Sequence, residues 1–184
     1  MKLPDWARAA RSGWKWTGDR RPPWASPTRP GEESVWDYPR PPLLASDSRH
    51  ITVSLHGTLI ADTQRAVRVL ETASPPTVYI PPDDVATEFL ERAPGASRCE
   101  WKGTAEYWSV RLADGSLEAA CGWSYPECFE DYASLSGFIS FYPARLECRI
   151  DGERVQPQGG GFYGGWVTRE VIGPFKGDPG AGAW

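Results

Sequence analysis

Apolar and polar positions alternate over residues 51–56, with Ile51, Val53 and Leu55 on one face and Thr52, Ser54 and His56 on the other. That period of two predicts a half-buried strand, and Gly57 followed by Leu59-Ile60-Ala61 predicts its hairpin partner. Val67, Val69 and Glu71 share one face of the next predicted strand, while Arg68 and Leu70 share the opposite face. Residues 77–80 predict a further short strand. Others are expected near 98–103, 105–112, 117–123, 137–142 and 145–150, with turns at Ala113-Asp114-Gly115 and Asp151-Gly152. The clearest helix start is Pro81-Pro82-Asp83-Asp84, where prolines precede acidic residues and Val85, Phe89 and Leu90 supply an apolar stripe. Residues 4–11 and 129–135 predict two more short helices.

The two ends lack this periodicity. Residues 1–48 hold five tryptophans (Trp6, Trp14, Trp16, Trp24 and Trp36) among dense prolines that enforce extended or turn conformations. An acidic, Pro-rich segment without tryptophan would read as disordered. Each large aromatic can instead bury about 150–250 Å², which predicts an arm docked on a folded body. Arg20, Arg21, Arg29 and Arg40 are scattered among Pro and acidic residues, a pattern that reads as solvated. Residues 158–184 shift to glycine and aromatics. Phe162, Tyr163, Trp166, Phe175 and Trp184 predict a tail that packs on the central domain, residues 49–157. Glu-Trp-Lys-Gly at 100–103 and Pro-Phe-Lys-Gly at 174–177 echo each other, too briefly to count as a repeat.

Composition narrows the function. A net charge of −4 without a basic stripe argues against nucleic acid as a partner. No apolar run approaches the roughly 20 residues of a membrane helix, and the first residues, with Pro4 and Asp5, lack the apolar centre of a secretory signal. A cytoplasmic protein with free thiols is expected. Cys99, Cys121, Cys128 and Cys148 form no Cys-x-x-Cys pair, and His50 and His56 lie far from them, so no metal is expected.

The candidate chemistry gathers between residues 65 and 126. Glu71 lies on an otherwise apolar face, which implies a paired carboxylate or a raised pKa; a strand-end glutamate reaching solvent is the plainer alternative. Arg65 and Arg68 are its partners by proximity. In Cys99-Glu100-Trp101-Lys102-Gly103, an extended strand would put Cys99 and Trp101 on one face and Glu100 and Lys102 on the other. Lys102 among aromatics can hold an anion or stack on a ring, against the alternative of a snorkelling surface lysine. Cys99 has no evident base and reads more readily as an inert thiol. Tyr79, Tyr107, Trp123 and Tyr125 can wall a pocket, whereas Trp108, in register with Val110 and Leu112, reads as core. Ser124 lacks the setting of a hydrolase nucleophile.

The blocks Arg-Ala-Val-Arg-Val-Leu-Glu-Thr (65–72), Tyr-Ile-Pro-Pro-Asp-Asp-Val (79–85), Cys-Glu-Trp-Lys-Gly (99–103), Tyr-Trp-Ser-Val (107–110) and Gly-Trp-Ser-Tyr-Pro (122–126) resemble, in this order, one bacterial family, domain of unknown function 427. The Trp/Pro arm and Gly-aromatic tail look like extensions of actinobacterial members. The resemblance implies a single small, bent antiparallel β domain of the β-tent kind. Many β-tent proteins hold zinc on two Cys-x-x-Cys pairs, and this chain has none. The family is also classed as nucleotidyltransferase-like, yet the Gly159–Gly165 run follows no phosphate-loop spacing.

The expectation is therefore a mainly β (α+β) domain with one or two short helices and two long arms. It would bind a small polar or carbonyl-bearing molecule in an aromatic pocket. Glu71 and Lys102 are the candidate catalytic groups, and Tyr79, Tyr107, Trp123, Tyr125, Arg68 and Cys99 the candidate ligand contacts. No cofactor is implied. A non-catalytic ligand-binding or protein-interaction module is the alternative, and a nucleotidyltransferase a more distant one.

Overall fold

The computed structural model describes residues 3–180, so Trp184 lies outside the described residues. The chain is mainly β. After helix α1 (Asp5–Arg11) come β1 (Glu33–Ser34), β2 (Leu43–Asp47), β3 (Ile51–Leu55), β4 (Thr58–Thr63), β5 (Ala66–Leu70) and β6 (Thr77–Tyr79). The central strands are β7 (Leu90–Cys99), β8 (Gly103–Arg111), β9 (Leu117–Ser124) and β10 (Ile139–Phe141). The chain continues through β11 (Glu147–Ile150), β12 (Glu153–Arg154), β13 (Gln156–Pro157), β14 (Trp166–Val167) and β15 (Val171–Ile172).

One four-stranded antiparallel sheet runs β12-β11-β3-β4 and another β10-β9-β8-β7, while β2-β5-β6 forms a three-stranded antiparallel sheet. Ile80 and Ile139 exchange backbone hydrogen bonds of 2.8 and 2.9 Å, which stitches the end of β6 to β10. The alternation at 51–55 holds, with Ile51, Val53 and Leu55 buried and the residues between them half-buried. These three pack with Ile60, Val78, Ile80, Val110 and Phe141 in the main core. Trp108 packs against this core as expected, and its indole N–H donates to the Ser124 hydroxyl.

Both arms dock. Trp36 is fully buried and packs with Trp16, Val35, Tyr38, Leu70 and Val171. Strand β1 from the N-terminal arm pairs in parallel with β15 from the tail, so the two arms also hold each other. Arg40, read from sequence as part of a solvated arm, is buried instead.

The helix expected after Pro81 does not form. Two 3₁₀ turns, Pro82–Asp84 and Thr87–Phe89, take its place, because Ala86 N–H donates to Ile60 C=O at 2.8 Å and Val85 bridges Ala61 on the edge of β4. Sheet pairing there outcompetes the local helix signals. Residues Glu130–Leu135 form a 3₁₀ segment rather than an α-helix. The strand expected over 98–103 also ends early: β7 stops at Cys99, and residues 100–102 make the turn into β8.

Candidate functional site

The turn at 100–102 explains how two groups from one short motif face the same space. Cys99 pairs with Gly103 across the β7–β8 hairpin, and Gly103 has φ +116°, a value open to glycine alone. A three-residue loop closed by such a glycine is a common hairpin form. The loop is pinned from both sides. Arg11 of α1 donates to the carbonyls of Glu100 (2.8 Å) and Trp101 (3.2 Å), and its guanidinium stacks 5.0 Å from the Trp101 ring centre. Phe129 N–H donates to Lys102 C=O at 3.1 Å. The N-terminal helix thereby sets the position of Lys102.

Lys102 sits in the wall of a cleft of about 280 Å³, which Glu71, Tyr79, Cys99, Tyr107, Trp123 and Tyr125 also line. Seven of the eight residues singled out from sequence thus converge here. Strand alternation does most of this: Val69 and Glu71 follow one face of β5, and Tyr107 takes the face opposite Trp108. Arg68 is the exception. On the opposite face of β5 it pairs with Glu33 at 2.5 Å and lies 3.8 Å from Asp47, so it does not reach the cleft.

The aromatic walls are tied together. The Trp123 indole N–H donates to the Tyr79 hydroxyl at 3.1 Å, and the two rings meet edge to face at 6.2 Å. Tyr142 lies 4.4 Å from Trp123, and the Tyr107 hydroxyl donates to Ser97 at 2.8 Å. The tail supplies the remaining wall through Gln158, Phe162, Tyr163, Gly164 and Lys176, none of which the sequence singled out as site residues. Gly164 lies so close to Trp123 that a Cβ there would stand 2.1 Å from the ring. Only the residue without a side chain fits that crossing.

Lys102 is 7 % exposed, and among the described residues its amine makes no hydrogen bond or ion pair; Nζ lies 5.5 Å from the Tyr125 ring centre. Burial favours its neutral amine. The charges of Cys99, Tyr79 and Tyr125 when ionised, and that of Glu71, pull the other way and hold Lys102 well above the ordinary lysine range. Burial pushes the Tyr79 phenol up to about 12 and the Tyr125 phenol well above its usual range, with Lys102 opposing both. Both phenols are therefore uncharged potential donors beside the ammonium.

That leaves Glu71 as the carboxylate among these four neighbours, and it is already engaged. Its Oε1 accepts from Arg40 Nε at 3.2 Å, not from Arg65 or Arg68. Arg65 pairs with Asp84. Arg40 also donates to the carbonyls of Trp16 (3.2 Å) and Thr72 (2.9 Å) and lies 3.6 Å from the Trp14 ring centre. Proximity in sequence could not have identified a partner 31 positions away.

Among the described residues no cluster of three His, Cys, Asp or Glu side chains could hold a metal ion, and no helix is long and apolar enough to cross a membrane. Fold and cleft together define a mainly β domain whose charged and aromatic groups converge on one concavity. Residues 43–155 match the family described as Domain of unknown function (DUF427), and since the match spans more than half of the chain, the protein belongs to that family. No curated protein matches the chain.

Proposed function

We propose that this protein binds a small molecule in the Lys102 cleft, with the ammonium holding an anionic or carbonyl oxygen and the aromatic walls receiving the rest of the ligand. One observation carries the reading: a lysine 93 % removed from solvent whose amine makes no hydrogen bond or ion pair among the described residues. A buried amine without an acceptor leaves its N–H donors unsatisfied, and a ligand oxygen would supply the missing acceptor. The Tyr79 and Tyr125 hydroxyls would add neutral donors to the same oxygen. A cleft of about 280 Å³ walled by aromatic rings and charged side chains suits a small polar ring compound.

A catalytic version of this reading rests on Glu71. Its Oε1 is tied to Arg40, while Oε2 makes no hydrogen bond among the described residues and could accept a proton from a bound ligand. Lys102 would then hold the negative charge that develops. Titration of the protein with benzoate and with benzaldehyde, followed by intrinsic tryptophan fluorescence, tests the binding reading. Saturable quenching that Lys102→Gln weakens about tenfold or more supports it. Quenching unaffected by that substitution defeats it. If Glu71 moves a proton, Glu71→Gln keeps the binding of acetophenone and loses exchange of its α-hydrogens with solvent deuterium.

A further inference from the structure

The tail places a second lysine on the same cleft. Lys176 lines it, and its Nζ sits 4.7 Å from the Trp14 ring centre and 5.1 Å from that of Tyr163. Like Lys102, it makes no ion pair among the described residues. Its backbone is held on both sides: the N–H donates to Ala73 C=O at 2.7 Å, and the C=O accepts from Gln158 Nε2 at 2.7 Å. Gln158 Oε1 in turn accepts from Gly165 N–H at 3.1 Å, which ties Lys176 to the segment that roofs Trp123.

The short sequence echo has a structural counterpart. Lys102 and Lys176 each follow an aromatic residue and precede a glycine of positive φ, +116° at Gly103 and +95° at Gly177. Both turns present a lysine to one cleft. The cleft's carboxylates are Glu71, bound to Arg40, and Glu100; against them stand Lys102, Lys176 and Arg98 as lining cations. Positive charge is in excess by one among the lining groups and by two once Arg40 is counted. Trp14, Arg40, Tyr163 and Lys176 all lie outside residues 43–155, so the arms bring this charge to the family's domain.

We infer that Lys176 is a second anion contact and that the cleft selects small dianions over monoanions. The inference rests on the proposed Lys102 site. Two charge sources fit: one doubly charged group, as in a phosphate ester, or two separate carboxylates. A second cation facing the ligand strengthens dianion binding without altering the contact that Lys102 makes.

Calorimetric titration at about pH 7.5, where a phosphate monoester is mostly dianionic, compares benzoate, phenyl phosphate and terephthalate. At least one dianion should bind about tenfold more tightly than benzoate. Lys176→Gln should erase that preference by weakening the dianions far more than benzoate, while Lys176→Arg should retain it. Whichever dianion binds more tightly identifies the charge source. Equal binding of benzoate and both dianions, or a preference that survives Lys176→Gln, overturns the inference. Failure of all three probes to saturate below about 10 mM, or indifference of all three to Lys102→Gln, instead overturns the underlying Lys102 site.

Discussion

Arg40 and Glu71 join the N-terminal arm to the cleft: a guanidinium with only 3 % of its side chain exposed donates to a cleft-lining carboxylate at 3.2 Å. Desolvation pulls the Arg40 pKa below the usual arginine value, and Glu71 is the main group raising it back. The guanidinium stays charged, so removing either partner strands the other.

Arg40→Ala should therefore lower stability by about 3–5 kcal/mol, read as a fall in the urea midpoint, because it leaves Glu71 and two backbone carbonyls unsatisfied. Glu71→Gln should cost less, since an amide oxygen can still accept from the guanidinium. Equal costs for the two would mean that the pair contributes little beyond packing.

Gly164→Ala tests the roof of the cleft. A methyl group 2.1 Å from the Trp123 ring must push either the ring or the roof segment away, at a cost of about 1–3 kcal/mol. The expected signature is a changed Trp fluorescence spectrum together with the stability loss. An unchanged spectrum and midpoint would mean that the tail does not lie on Trp123.

The four thiols should differ sharply in reactivity. Cys121, Cys128 and Cys148 are buried, and burial pushes their thiols up, that of Cys121 to about 11. Cys99 is half-buried on the cleft wall. In the folded protein a disulfide reagent should modify Cys99 first, and the other three should react at the rate of unfolding. Fast modification of all four in the native state would contradict the buried placements.

Acid sensitivity should centre on Asp47. Burial alone would raise its pKa, but hydrogen bonds from Arg49 and the charge of Arg68 outweigh that and hold it below the usual carboxylate range. A depressed folded pKa means that the folded state binds fewer protons. Its stabilisation is present above the unfolded value near 3.9 and is lost as pH falls through the folded pKa. Asp47→Asn should flatten the loss of stability below about pH 4 and lower stability at neutral pH. A parallel acid limb in the variant would assign the effect to other carboxylates.

Much of the domain was legible because its strands obey a period of two. The alternation at 51–56 and the shared face of Val69 and Glu71 both survive in the structure, and the second aims Glu71 into the cleft. The failures share one cause, long-range pairing that local signals do not carry. Proline and aspartate at 81–84 promise a helix, yet Ala86 finds its hydrogen-bond partner on β4. Arg40 was hidden for the same reason, as its partners are Trp16, Glu71 and Thr72 rather than neighbours. Lys176 left only the faint aromatic-Lys-Gly echo. Cys99 and Lys102 reached the cleft by a hairpin turn rather than by the extended strand expected from alternation.

The central claim is that Lys102 is a buried cation waiting for a ligand oxygen. Its most direct test is calorimetric titration of the protein and its Lys102→Gln variant with phenyl phosphate, with equal folding of the two verified by thermal melting. The claim predicts saturable binding that falls about tenfold or more in the variant while the variant stays folded. Equal affinity in the two folded proteins would show that Lys102 does not hold a bound molecule.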